Sequence, residues 1–242
     1  LLLISEFSQK NFIFVEKLLC MLIETKKYTF EDFLKFYERT GERGGFEFAH
    51  GQIWDKYAAQ TLDESLVDYI LSDEFDEKEL PAFTMPTQFH DLITTNLLFL
   101  LLEILRSKGY ISYSQKTAIP REETEKGYRE PDIIVVNKKN EQRNKLHQVI
   151  NPIMLVEVLS KSTEKIDLID KLEEYQKMPS VQVYMLVWQE KPKVLIYSRK
   201  EEFIWEERIY EGLEKIAFVP FFEIEIPLSK IYEDITFDIT PQ

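Results

Sequence analysis

Two short apolar runs in the second half of the chain each carry a carboxylate, and they limit the folds open to it. Residues 129–136 read Arg-Glu-Pro-Asp-Ile-Ile-Val-Val, and residues 153–160 read Ile-Met-Leu-Val-Glu-Val-Leu-Ser. Runs of this length read as strands. Asp132 begins the first, and Glu157 stands inside the second with two apolar residues on either side. An ionised carboxylate is costly to bury unless a partner or a metal compensates it. Every second residue of a strand shares a face. Asp132 thus lines up with Ile134 and Val136, and Glu157 with Ile153, Leu155 and Leu159. If the strands are adjacent, both carboxylates meet near one end of the sheet. Hard divalent cations such as Mg²⁺ take such oxygen ligands and fill their other positions with water and phosphate.

A helix at about 164–177 follows and carries Lys171 on its apolar side, three residues after Leu168 and four before Tyr175. A cation there would aim at the sheet edge, orient an attacking water and stabilise charge on a transferring phosphoryl group. Simpler roles exist for each residue. Asp132 after Pro131 would end a turn. Lys171 would form a surface bridge to Asp167, worth a few tenths of a kcal/mol. Glu157, between Val156 and Val158, has the least structural excuse. Clustering of ionisable residues in apolar settings favours a shared site. Glu47 and His90 are softer candidates for it. Ser160, Ser162 and Thr163 would cap the next helix, or contact phosphate.

The rest of the chain supplies a frame. Thr29 and Asp32 make a capping box, Phe30, Phe33, Leu34 and Tyr37 follow helical spacing, and Gly41 ends the run. Phe46 to Trp54 alternates around His50-Gly51 and reads as a β-hairpin, with Glu47 facing away from Phe46 and Phe48. Residues 57–82 read as a separate helix, capped by Thr61 with Glu64, plus an acidic connector at Asp73–Glu79. Pro86 and Thr87 open the longest helix, at about 88–107. It is apolar on nearly all sides from Leu97 to Leu105 and is therefore expected to be buried between other elements; Gly109 stops it. Strands follow at about 110–119, 130–137, 153–159, 182–188 and 193–199, with another near 203–210 and an apolar segment near 216–228. From residue 88 the order is helix, three strands, helix, strand. A mixed sheet flanked by helices is the natural packing.

Composition narrows the function classes. A chain of 242 residues can build one good core. The net charge of −13 counts against nucleic acid as a partner of the whole surface. The charge is uneven, however. Residues 1–80 hold 9 Lys/Arg against 17 Asp/Glu, whereas residues 106–145, around Asp132, hold 10 against 6. The single cysteine, Cys20, excludes an intrachain disulfide and fits a reducing, cytoplasmic setting. The run Leu97–Leu102, broken by Glu103, is too short to read as a membrane span. The N-terminus lacks the basic start and cleavage site of a signal peptide. There is no Walker loop, dinucleotide glycine pattern, zinc-ligand spacing or nucleophile elbow. The expected organisation is an N-terminal extension at 1–25, one domain at 26–236 with an insertion at 57–82, and a tail at 237–242.

Pro131-Asp132, with Glu157 on the next strand, resembles the PD-(D/E)XK nuclease superfamily. More narrowly, the chain resembles the Uma-type family of candidate restriction endonucleases, found in bacteria. Tyr28 to Phe33, Phe46 to Gly51, Pro86 to His90, Arg129 to Asp132, Val156 to Thr163, then Asp167, Lys171, Tyr175 and Val183 to Val187 carry the likeness. The resemblance implies a restriction-endonuclease-like core. It also implies Mg²⁺, with Mn²⁺ as a substitute, bound by Asp132 and Glu157, and hydrolysis of DNA by a metal-activated water. Glu47 would support the site. The superfamily's lysine stands two residues after the glutamate, where this chain has Leu159; Lys171 would be its substitute. Cutting both strands would favour a homodimer by symmetry. The alternatives are a catalytically silent nuclease-fold protein that binds or regulates, and a nuclease for RNA or structured nucleic acid.

Overall fold

In the computed structural model, residues 25–40, 43–114, 117–121, 127–161 and 163–237 are described. The expected extension up to residue 24 with Cys20, the helix stop at Gly41, Ser162 and tail residues 238–242 lie outside the described residues. The first helix, α1 (Phe30–Thr40), starts at the capping box that the sequence predicts. Thr29 Oγ1 accepts from the Asp32 backbone N–H at 3.1 Å, and Asp32 Oδ2 accepts from that of Thr29 at 2.8 Å. Strands β1 (Phe46–Ala49) and β2 (Gln52–Asp55) form the hairpin. Both turn residues, His50 and Gly51, have positive φ, 55° and 75°. That conformation matches the right-handed twist of the flanking strands.

Strand β3 (Gln60–Thr61) pairs with β2, and α2 (Glu64–Leu71) follows. Its N-cap is Asp63, whose carboxylate accepts from the Ser65 and Leu66 backbone N–H groups, and not Thr61 as the sequence spacing suggests. Thr61 is committed to the strand ladder opposite Trp54. Phe33, Phe36, Phe46, Phe48, Ile53, Val67 and Ile70 fuse α1, the hairpin and α2 into one aromatic-rich cluster.

Helix α3 (Gln88–Arg106) is capped by Thr87, whose Oγ1 accepts from the His90 N–H. Gly109, at φ 88°, turns the chain into β4 (Tyr110–Ser114). Strands β5 (Ile133–Asn137) and β6 (Met154–Leu159) come next. One continuous rod then runs from α4 (Glu164–Ile166) through a π-helical turn (Asp167–Lys171) into α5 (Leu172–Lys177). It leads to β7 (Val183–Trp188), β8 (Lys193–Glu201) and β9 (Ile204–Glu211). Strand β4 itself ends at Ser114 rather than near 119; Ile119 joins only an isolated bridge to Arg129. The apolar segment near 216–228 resolves into a hairpin, β10 (Ile216–Val219) and β11 (Ile224–Pro227), followed by α6 (Leu228–Ile231).

The main sheet has six strands in the order β4-β5-β6-β7-β8-β9. Only β6 and β7 run parallel, joined by the helical rod as a parallel crossover requires. Side-chain alternation splits the apolar residues between two layers. Ile133, Val135, Val156 and Val158 pack with Ile93, Leu97, Leu101 and Leu105 of α3 and with the β10–β11 hairpin. Ile134, Leu155, Leu159 and Leu186 pack on the opposite face with Tyr175 of the rod.

Helix α3 departs from expectation. It is buried along one stripe and not all round, and Phe99 is 67 % exposed. By length and composition alone this helix could cross a membrane. Its stripe at i, i+4, i+8 and i+12 lies instead on the sheet. The stripe yields a stability prediction. Leu97→Ala should cost about 3 kcal/mol, within the range for buried leucines, and Phe99→Ala less than about 0.5 kcal/mol. Urea unfolding followed by far-UV circular dichroism checks both.

Candidate active site

The pairing of β5 with β6 creates the site. Ile133 stands opposite Val156, so Asp132, one residue ahead of β5, falls beside Glu157. Both are almost fully buried, at 2 % and 1 % exposure. They share the sheet face covered by the rod, as alternation predicts. Asp132 Oδ2 accepts from the Val158 backbone N–H at 2.7 Å and lies 3.1 Å from His90 Nε2. Asp132 Oδ1 accepts from Lys56 Nζ at 2.6 Å. Glu157 Oε1 accepts from Lys171 Nζ and from the Tyr175 hydroxyl, both at 3.0 Å.

Lys171 gathers the other carboxylates. Its Nζ lies 3.0 Å from Asp167 Oδ1 and 3.5 Å from Glu47 Oε1. The Asp167–Lys171 pair is therefore made, but both side chains are buried, so it is no surface bridge. The pair spans the π-helical turn, a wider winding that recurs at functional sites. Glu47 comes from β1, on the face opposite Phe46 and Phe48 as expected. Its Oε2 accepts from Arg129 at 2.8 Å, and Arg129 also donates to Glu174. Ser160 and Thr163 bind each other across the turn into the rod, with Ser160 N donating to Thr163 Oγ1 at 3.0 Å. Glu47, Lys56, His90, Arg129, Asp132, Glu157, Ser160, Thr163, Asp167 and Lys171 line one cleft together with Trp54, Tyr57, Thr87 and Gln189.

The sequence reading missed three members. Arg129 and Tyr175 stood in the quoted motifs without roles. Lys56 had no signal beyond following a hairpin that carries Glu47.

Buried charges set the electrostatics. Burial opposes ionisation of Glu47, but Lys171, Arg129 and Lys56 outweigh it and hold its pKa down to about 2. Burial also opposes ionisation of Asp132, and Lys56 and His90 overcome it, leaving the group well below the usual carboxylate range. Glu157 goes the other way. Burial dominates Lys171 and Lys56, Asp132 and Asp167 add repulsion, and the pKa rises to about 8. Asp167 is also raised, by burial. For Lys171, burial is overcome by Asp167, Glu157 and Glu47, which keep it protonated. One lysine thus serves three carboxylates, and the cluster is short of positive charge at Glu157. Among the described residues, no three carboxylate, histidine or cysteine side chains form a metal cage by themselves. The acids are interleaved with Lys56 and Lys171.

Comparison with known proteins places this arrangement. Residues 54–229 match the model of the Uma2 family, described as "Putative restriction endonuclease". The chain belongs to this family. The Uma2 match includes Lys56, His90, Asp132, Glu157, Asp167, Lys171 and Tyr175, and Glu47 precedes it. A crystal structure titled as a putative nuclease belonging to DUF820, from Anabaena variabilis ATCC 29413, superposes with a TM-score of 0.58 at 14 % identity. The superposition covers 84 % of this chain and 96 % of that one. It shows a shared fold, and the core is restriction-endonuclease-like: helix, three strands, helix and strand. No curated protein matches the chain.

The raised pKa of Glu157 gives a signed stability prediction for the metal-free protein. A carboxyl whose pKa rises from 4.5 to about 8 on folding contributes stability below pH 4.5. That contribution is lost as pH rises through 8. Glu157→Gln, neutral throughout, should therefore melt higher than wild type at pH 8.5 and much closer to it at pH 5. Thermal scans at the two pH values test this, and an equal offset at both would contradict it.

Proposed function

We propose that this Uma2 protein is a Mg²⁺-dependent endonuclease that hydrolyses DNA phosphodiester bonds. The observation that carries the reading is the buried pair Asp132 and Glu157, opposed across two paired strands in a cleft short of positive charge. The donor set fits a hard divalent cation, because it consists of oxygens and a bound cation would relieve the repulsion that holds Glu157 up. Asp132 and Glu157 would hold the ion, with Mn²⁺ able to substitute. When bound, it would activate a water and offset charge on the phosphoryl group.

The chain's own residues prepare that chemistry. Lys171 and the Tyr175 hydroxyl fix the Glu157 carboxylate from the rod side. His90 and the Val158 N–H fix the Asp132 carboxylate from the other. Lys171, a fixed cation among the acids, is assigned the work of the lysine that the superfamily carries where this chain has Leu159. Leu159 itself is packed in the apolar layer. Glu47 holds Arg129 and approaches Lys171, and so acts by positioning. Asp167 does the same from the π turn. Double-strand cutting would bring two copies together as a homodimer.

Two measurements decide the reading. Wild type should bind Mn²⁺ in calorimetry and nick or linearise plasmid DNA with Mg²⁺, and Asp132→Ala and Glu157→Ala should lose both. Metal uptake equal in wild type and both variants would remove the site. Lys171→Met should retain DNA binding but cut about 10²- to 10³-fold more slowly, the size of effect seen when one preorganised electrostatic group is removed. Preference for RNA or branched substrates in parallel assays would move the substrate class. DNA binding without metal and without cleavage would favour a silent binding protein, to which the net charge of −13 gives some support.

A further inference from the structure

Lys56 has no part in the chemistry above, yet its ammonium sits directly on the Asp132 carboxylate that would hold the ion. It follows β2 directly, and its side chain is only 9 % exposed. Its Nζ donates to Asp132 Oδ1 and to the Glu130 carbonyl, both at 2.6 Å. Its charge is stabilised by Asp132 first and Glu157 second, the two carboxylates that would share a cation. With Oδ2 occupied by the Val158 N–H and His90, both oxygens of Asp132 are engaged.

We propose that Lys56 is a built-in counter-ion that occupies the cation's place on Asp132 and must be displaced when a divalent metal binds. The inference rests on the metal-dependent reading and deepens it. An ammonium and a divalent ion compete for one carboxylate oxygen, so the lysine weakens metal affinity and keeps the acid pair compensated when no metal is present. Once released, the ammonium remains in the cleft, and a phosphodiester anion is its natural new partner. The hairpin on which Lys56 rides thereby couples metal uptake to substrate binding.

Calorimetric titration of the full chain with MnCl₂ tests this without an activity readout. Lys56→Gln keeps a hydrogen-bond donor for Asp132 and the Glu130 carbonyl while removing the charge. It should bind Mn²⁺ about tenfold more tightly than wild type, since removing a competing unit charge from a close, buried pair is worth at least that factor. Asp132→Asn should abolish uptake, with or without the Lys56 change. Affinity in Lys56→Gln equal to or below that of wild type, with Asp132→Asn still inactive in binding, would overturn the Lys56 proposal and leave the metal site standing. No uptake by any form would overturn both. A second measurement needs only wild type. Lys56 should resist acetic anhydride in the metal-free protein and become several-fold more reactive with Mn²⁺, read by peptide mass spectrometry. Labelling unchanged by metal would count against displacement.

Discussion

The approach of Asp132 to Glu157 across β5 and β6 is the constraint that the rest of the molecule has to satisfy. Ionising both carboxylates side by side in a buried sheet sets them in repulsion and strips their hydration, at a cost of several kcal/mol for each group, and Glu157 is accordingly pushed up to about 8. The strands pair in this register because their other side chains bury well on both faces. The acids must then be compensated from outside the sheet. Lys171 arrives from the rod, Lys56 from the hairpin, and His90 from the first turn of α3. These three elements converge at one end of the sheet, and the cleft lies among them.

The hairpin can deliver Lys56 and Glu47 only if it is fixed to the sheet. Phe48 and Tyr128 exchange backbone hydrogen bonds, joining β1 to the segment ahead of β5. The Tyr37 and Tyr128 hydroxyls both donate to Glu130 Oε1, at 2.9 and 2.8 Å, which ties α1 to the same segment. Glu47 Oε1 in turn accepts from the Glu130 backbone N–H. The residues Arg129, Glu130 and Asp132 are thus one fastening strip. Arg129 binds Glu47 and Glu174, Glu130 binds two tyrosines, and Asp132 binds Lys56. A buried polar network with its members satisfied rigidifies a site and specifies one arrangement of it.

Periodicity makes the core legible in the sequence itself. The alternation around Asp132 and Glu157, the spacing of Lys171 from Leu168 and Tyr175, and the turn at His50-Gly51 are local properties, and each produced the right element or face. Lys56 and Arg129 were not legible because their roles depend on contacts 76 and 82 residues away in the chain. No local period reports such contacts. The cap at α2 failed for a related reason. Thr61 has the right spacing, but a strand pairing that only the tertiary fold reveals had claimed it. For α3, composition suggested burial all round, whereas geometry allows a single helix to lay one stripe on a sheet.

The packing of the rod on the sheet lets a lysine serve the site from outside β6. In β6, position 159 falls in the apolar layer beside Tyr175, and Leu159 fills it. A cation there would exchange apolar contact for a buried charge, and the layer would have to open to hydrate it. At position 171 the cation is still buried, but acids surround it and compensate its charge. Asp167 and Lys171, four residues apart, share one face of the rod across the π-wound turn. Lys171 Nζ lies 3.0 Å from Asp167 on its own helix and 3.0 Å from Glu157 on the strand below. Tyr175, one further turn along, adds its hydroxyl to the same Glu157 oxygen. The strand and the apolar layer are thereby kept intact, and the charge enters from the rod, at its π-wound turn.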